Sequence, residues 1–162
     1  MKFGIGQSVA RVEDRELLVG AGCFSDDVAP GKGLRIAFLR SPHAHARICT
    51  PDVSAARKLT GVRLVATQAD LDADNIGDIE CQFCPPLIGG GKMHLVSKPA
   101  MVRDIIRHAG DIVAMVVADT EDIAKSAIEL IKVEYQSMPA VTDIYTAMAD
   151  DAPQLYDCYP NN

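Results

Sequence analysis

A chain of 162 residues, 48% of them hydrophobic but only 5% aromatic and none tryptophan, suffices for one domain with a core of aliphatic side chains. A formal charge of −6 repels phosphate backbones and sets nucleic-acid binding aside; the cations from Arg103 to His108 are broken up by Asp104 and two Ile. The most apolar run, Ile112 to Ala118, is far shorter than the roughly 20 residues of a membrane span. The start lacks the apolar stretch of a signal peptide, and five cysteines without one point to reduced thiols in the cytoplasm.

Residues 1–30 are rich in Gly, Asp and Glu and poor in apolar pairs. They read as an extended arm with one helical turn at Asp14 to Leu18. Leu34 to Arg40 alternates as a strand should, and Ser41-Pro42 breaks it, because proline removes a backbone donor and restricts the residue before it. A second strand is expected over Ala46 to Thr50. Asp52 then caps a short helix from Val53 to Leu59, with Gly61 in the left-handed position that ends it. Val62 to Ala66 is a third strand, and Thr67 or Asp70 caps a further turn.

Residues 72–98 show no periodicity and contain Pro85-Pro86 and Gly89-Gly90-Gly91, which marks an insertion or irregular loop. Ile112 to Ala118 is apolar throughout, like a strand covered on both faces. Asp119-Thr120 caps a helix in which Ile123, Ala127, Ile128 and Ile131 share one face while Glu121 and Lys125 pair on the other. Val133 to Gln136 alternates as a closing strand. The sequence strand, helix, strand predicts a βαβ unit with a right-handed crossover.

Few residue patterns suggest chemistry. His43-Ala44-His45 puts two imidazoles on one side of an extended segment, which suits a metal, or forms a turn in which one ring bonds the backbone. Cys81-Gln82-Phe83-Cys84 with His94 and His108 raises a metal or thiol redox role. No second Cys pair accompanies it, the His spacing fits no common zinc finger, and Pro85-Pro86 stands where a redox pair would want a helix. Gly89-Gly90-Gly91-Lys92 lacks the Ser or Thr and the helix of a phosphate-binding loop, and Gly20-Ala21-Gly22 lacks the third glycine of a dinucleotide fingerprint. No carboxylate, Ser41 or Ser97 sits in a catalytic motif. The residues by themselves give a soluble α/β domain without a visible active site.

Several segments together resemble a known family. Gly6-Gln7-Ser8-Val9-Ala10-Arg11-Val12-Glu13-Asp14, then Leu17-Leu18-Val19-Gly20 and Phe24-Ser25-Asp26-Asp27, are similar to the opening of molybdenum hydroxylase large subunits. Ala37-Phe38-Leu39-Arg40-Ser41-Pro42-His43-Ala44-His45-Ala46-Arg47-Ile48 carries the most specific likeness. Gly61-Val62 with Val65-Ala66-Thr67, Gly110 to Ala114, Ala118-Asp119-Thr120, Val133-Glu134-Tyr135 and Met138-Pro139-Ala140-Val141 continue it in order. Two departures stand out: His108-Ala109 precedes Gly110 where the family usually has an aromatic, and the Cys81 to Lys92 loop has no counterpart.

The resemblance implies an α+β fold, the α/β hammerhead, a mixed sheet with short helices in βαβ-like units. It makes residues 1–162 a single such domain and a fragment of a longer parent subunit. That parent would be a xanthine dehydrogenase, aldehyde oxidase or carbon monoxide dehydrogenase type oxidoreductase. It would hydroxylate an aldehyde, N-heterocycle or CO-like substrate with oxygen from water, on molybdopterin in its cytosine dinucleotide form. Partner subunits or domains would hold [2Fe–2S] clusters and FAD, and the C-terminal region of the same subunit would bind the molybdopterin. No catalytic, cofactor or metal residue is expected in this chain. Ser41, Pro42, His43, His45, Arg47, Phe24 and Leu17 are instead the expected docking surface. A free-standing binding module of the same fold, or a small Cys/His metal or thiol redox protein, are the alternatives.

Overall fold

A computed structural model describes residues 4, 6, 8–28, 31, 33–91 and 93–159. Gln7 of the opening motif, Pro30 at the end of the expected arm and Lys92 behind the glycine triplet lie outside the described residues. The chain divides into two compact units, Met1–Gly33 and Leu34–Asn162.

In the first unit, helix α1 (Asp14–Leu18) begins where Asp14 accepts from the Arg11 amide at 3.3 Å and pairs with its guanidinium at 3.1 Å. Gly20, at φ +74°, follows α1 in the left-handed conformation that lets the chain turn away. A single 3₁₀ turn spans Ser25–Asp27, where Asp27 accepts from the Phe24 amide at 2.9 Å. No residue of α1 is buried, and Val12, Leu18 and Phe24 stand in solvent.

The second unit is built on two three-stranded sheets, every pair in them antiparallel. The first has the order β1-β5-β3, from β1 (Arg35–Arg40), β5 (Ile112–Ala118) and β3 (Val62–Thr67). Helix α4 (Glu121–Glu129) packs on one face of it. Thr120 caps α4 by accepting from the Ile123 amide at 3.3 Å, and Glu121 and Asp122 in its first turn suit the helix dipole. Ala124 and Ala127 are wholly buried beneath it, small enough to let the helix lie close on Ala114, Val116 and Ala118. Val53, Ala56, Val65 and Ile131 complete this core.

The second sheet has the order β4-β2-β6, from β4 (Ile105–Ile106), β2 (Ala46–Ile48) and β6 (Tyr135–Ser137). It closes over Ala46, Ile48, Val102, Ile106 and Val113. Leu39 and Val133 pack against both cores and so tie the two sheets together.

The α+β class with short helices holds, but the expected βαβ unit does not form. The strand after α4 does not join the sheet of β5; it pairs antiparallel with β2 in the other sheet. Both edges of β5 are already taken by β1 and β3. After α4, Ile131 turns into the first core and Lys132 bridges to Asp52, exchanging backbone hydrogen bonds of 2.9 and 3.1 Å. That bridge delivers the chain to β2 instead, so the expected mixed sheet is two antiparallel ones.

Smaller differences have local causes. The expected helix over Val53 to Leu59 contracts to α2 (Ser54–Arg57), started by Asp52 accepting from the Ser54 amide at 3.0 Å. Helix α3 (Gln68–Ala73) runs two residues into the segment expected to be irregular. Its start is fixed by Asp70, which accepts from the amide and hydroxyl of Thr67 at 2.7 and 2.9 Å. The irregular segment is tied at its feet. Arg103 reaches both Asp72, at 2.8 and 3.0 Å, and Asp78, at 2.7 Å, while Ile79 and Lys98 exchange backbone bonds of 2.7 and 3.0 Å. A short helix α5 (Ile144–Ala147), capped by Asp143, was not foreseen.

Candidate functional site

The most specific sequence segment, Arg40 to Arg47, runs from the first sheet to the second and is held by residues far along the chain. Arg40 donates to the Gly110 carbonyl at 2.9 Å. The Ser41 amide donates to the Asp111 carbonyl at 2.8 Å, and the Gly110 amide to the Ser41 carbonyl at 2.9 Å. Ser41 Oγ accepts from the His43 amide at 3.0 Å and donates to the His43 carbonyl at 3.1 Å, which locks the turn around Pro42. Gly110 sits at φ +89°, so the chain there uses a conformation that a side chain would strain.

The two histidines go to different tasks. His45 is buried, and its Nδ1 donates to the Pro139 carbonyl at 2.7 Å. Because a carbonyl only accepts, the proton of a neutral His45 ring is on Nδ1. His43 is half-buried, with Nδ1 3.3 Å from Ser137 Oγ and its ring tilted against Tyr135 at 4.8 Å. Burial pushes the Tyr135 hydroxyl above the usual phenol range. Nothing brings the two imidazoles to a common third ligand: among the described residues, no group of three or more His, Cys, Asp or Glu side chains is placed to hold a metal ion.

Asp111 is the residue that sequence reasoning missed. It is buried, and its carboxylate accepts from the amides of Arg107 at 2.9 Å and His108 at 3.3 Å. His108 Nδ1 at 2.8 Å and Lys98 at 3.5 Å surround it further. Beside it Arg107 donates to the Leu155 carbonyl at 2.9 Å and lies over the Tyr156 ring at 4.4 Å. Asp111, Lys98, Arg107, His108 and Tyr156, with Arg40, line a cleft of about 160 Å³. Its one carboxylate is taken up by Lys98, His108 and two backbone amides, and Arg40 and Arg107 donate to backbone carbonyls, which suits holding a turn in place better than catalysis. Gly110-Asp111 was the available signal: a glycine before a carboxylate marks a tight turn whose amides the carboxylate can collect.

The residues expected to dock divide accordingly. Ser41 and His45 face inward; Pro42 and Arg47 are exposed, with Arg47 3.6 Å from Asp104, and His43 is intermediate. In the first unit Leu17 and Phe24 are exposed, at 42% and 67%.

The remaining motifs are not assembled into sites. Cys81 and Cys84 are exposed thiols whose Sγ atoms donate to the Phe83 and Cys81 carbonyls. Desolvation, and then Cys81 beside it, push the Cys84 thiol up, away from the thiolate a redox centre needs. His94 stacks on Tyr159 at 4.2 Å instead of turning to the cysteines. Gly89, Gly90 and Gly91 all have positive φ, and the described residues directly after them, 93–97, form no helix to cradle a phosphate.

Two antiparallel sheets, a helix on one of them and the segment that crosses between them define an α+β domain. The family model for the aldehyde oxidase and xanthine dehydrogenase a/b hammerhead domain matches residues 19–139, and the chain belongs to that family. It is 35% identical over 86% of its length to the nicotine 6-hydroxylase large subunit of Paenarthrobacter nicotinovorans, of which it covers 16%. The crystal structure of quinoline 2-oxidoreductase from Pseudomonas putida 86 superposes with a TM-score of 0.79 at 37% identity, covering all of this chain and 20% of that one. A Cu,Mo-CO dehydrogenase superposes with a TM-score of 0.70 at 36% identity, over 93% of this chain and 18% of that one. The chain therefore spans a fifth or less of the length of these proteins.

Proposed function

We propose that the chain is the N-terminal, non-catalytic domain of the large subunit of a molybdenum hydroxylase, where it serves as framework and interface. One observation carries this reading. Much of the family's most specific motif is engaged in internal bonds, Arg40 to Gly110 and Ser41 to Asp111 at the end of the first sheet and His45 to Pro139 at the end of the second, so these polar groups fix the crossing between the sheets instead of facing a substrate. The similar proteins named as a hydroxylase large subunit and a Cu,Mo-CO dehydrogenase support the assignment.

On this reading the parent hydroxylates an aldehyde, an N-heterocycle or a CO-like substrate with oxygen from water, in the cytoplasm. No helix here is long and apolar enough to cross a membrane among the described residues. Molybdopterin, in its cytosine dinucleotide form, would supply that chemistry when bound by the C-terminal region of the same subunit, and [2Fe–2S] and FAD partners would carry the electrons away. This domain's share is positional: residues 1–162 form one domain, with residues 1–30 as an arm and 72–98 as an insertion. In the second unit its docking surface is carried by Pro42, His43 and Arg47, with Ser41 and His45 supporting it from inside; in the first unit Leu17 and Phe24 are docking residues by themselves.

The test is to isolate the native protein with an antibody to this chain. A polypeptide several times the 17.4 kDa of these residues, loaded with molybdenum by elemental analysis, is the expected result. A native polypeptide of that small mass without molybdenum would overturn the reading and favour a free-standing binding module. For docking, His43→Ala with Arg47→Ala in the native protein should weaken subunit assembly and leave turnover per molybdenum-loaded complex intact. Normal assembly with collapsed turnover would move these residues to the chemistry.

A further inference from the structure

The alternation in the first sheet leaves apolar side chains exposed on one face of it among the described residues. The register sets Ile36, Val117 and Leu64 side by side, and Phe38, Met115 and Ala66 in the next row. Residues opposed across antiparallel strands point to the same side of the sheet, so these six form one face. The opposite face, with Ala37, Leu39, Val65, Ala114, Val116 and Ala118, is the core beneath α4. On the first face the end at Val113 is roofed by the second sheet, and Ala66 is buried as well. Ile36, Phe38 and Leu64 remain 55%, 43% and 50% exposed, and Leu34 just before β1 is 54% exposed.

An antiparallel sheet with one wet face normally carries polar residues there, whereas apolar residues on both faces are the pattern of a sheet covered on both. Here β1 and β5 are apolar on both faces, yet among the described residues only one face is covered along its length. A contiguous apolar patch of this kind marks an interaction surface. Its rim is cationic at one corner, where the Arg40 guanidinium stands over Phe38 at 5.8 Å.

We propose that this face, centred on Ile36, Phe38, Leu64, Met115 and Val117, is covered by an apolar segment from the remainder of the same polypeptide. The occupant follows from length. In the similar proteins the domain is 16–20% of one much longer chain, so the covering segment is present in the same molecule at high effective concentration. The inference rests on the large-subunit reading above and adds which surface meets the rest of that subunit.

Ile36→Cys and Leu64→Cys, made singly in the native protein, test it by maleimide labelling. Each site is followed by peptide mass spectrometry, because the five native cysteines are exposed as well. Covered thiols should react about a hundredfold more slowly in the folded protein than in denaturant, the protection of a site that opens only by local unfolding. Labelling within about tenfold of the denatured rate, in a native polypeptide several times longer than this chain, overturns the face assignment alone and leaves the large-subunit reading intact. A native polypeptide of 17.4 kDa removes that reading and the occupant together. Protection that appears only at concentrations where the protein self-associates gives the face to a second copy and overturns the occupant named here.

Discussion

His45 Nδ1 donates to the carbonyl oxygen of Pro139 at 2.7 Å, across 94 residues of sequence. The bond fastens the turn between β1 and β2 to the segment that follows β6, and the Met138 amide returns one to the His45 carbonyl at 3.0 Å. His45→Ala deletes the donor from a buried site and leaves the Pro139 carbonyl short of a partner. The expected cost is about 1–3 kcal/mol, read from urea unfolding. Nitrogen NMR of the neutral ring should show Nδ1 protonated; a ring protonated only at Nε2 would contradict the bond.

Val116 lies wholly buried on the central strand, facing the core under α4. Val116→Asp would place an uncompensated carboxylate there, at a cost of several kcal/mol, on the order of the whole stability of a domain this size. The variant is expected to be unfolded or partly folded by circular dichroism at room temperature. A melting curve like the parent's would mean that β5 is not the centre of the fold.

The Arg103 clasp predicts a pH dependence with a definite sign. Its guanidinium, by direct hydrogen bonds first and charge second, holds the carboxyls of Asp72 and Asp78 below their ordinary value of 3.8. A carboxylate whose folded pKa is depressed adds stability above its unfolded pKa and loses it as pH falls through the folded one. Arg103→Gln should therefore melt below the parent at neutral pH, and the gap should close as pH drops below about 4. The pairs are partly exposed to solvent, so the gap is small. Protease sensitivity of residues 80–97 should rise with it. A gap that is constant from neutral to acid pH would show that the clasp is not electrostatic.

Gly61 has φ +88°, and a Cβ there would come within 2.7 Å of Ile123 Cδ1. Gly61→Ala should cost about 1–2 kcal/mol from the left-handed backbone, with the flexible tip of Ile123 moving aside. Gly77→Ala, where nothing lies within 4 Å and φ is ordinary, is the control expected to be close to neutral. Equal melting temperatures for the two variants would contradict the strained turn before β3.

The sequence by itself determined what is set within a few residues. Alternation over Leu34 to Arg40 and the apolar run from Ile112 to Ala118 marked β1 and β5. Thr120 before Glu121-Asp122 marked the start of α4, and Gly61 marked a turn that only a left-handed residue makes easily. The likeness carried most specifically by Ala37 to Ile48 gave the family, though not what its polar groups do. The tertiary structure decided everything that depends on distant partners. Alternation says which side of a strand is apolar but not which strand lies beside it, so the strand after α4 was expected in the wrong sheet. The two-residue strand β4 has no period to read, since Ile105-Ile106 becomes a strand only because β2 offers it an edge. His43 and His45 stand two apart in the same motif, yet one lies against Tyr135 and the other is buried on Pro139. Their partners come from residues 135–139, and a hydrogen bond across some ninety residues leaves no local trace in composition or spacing.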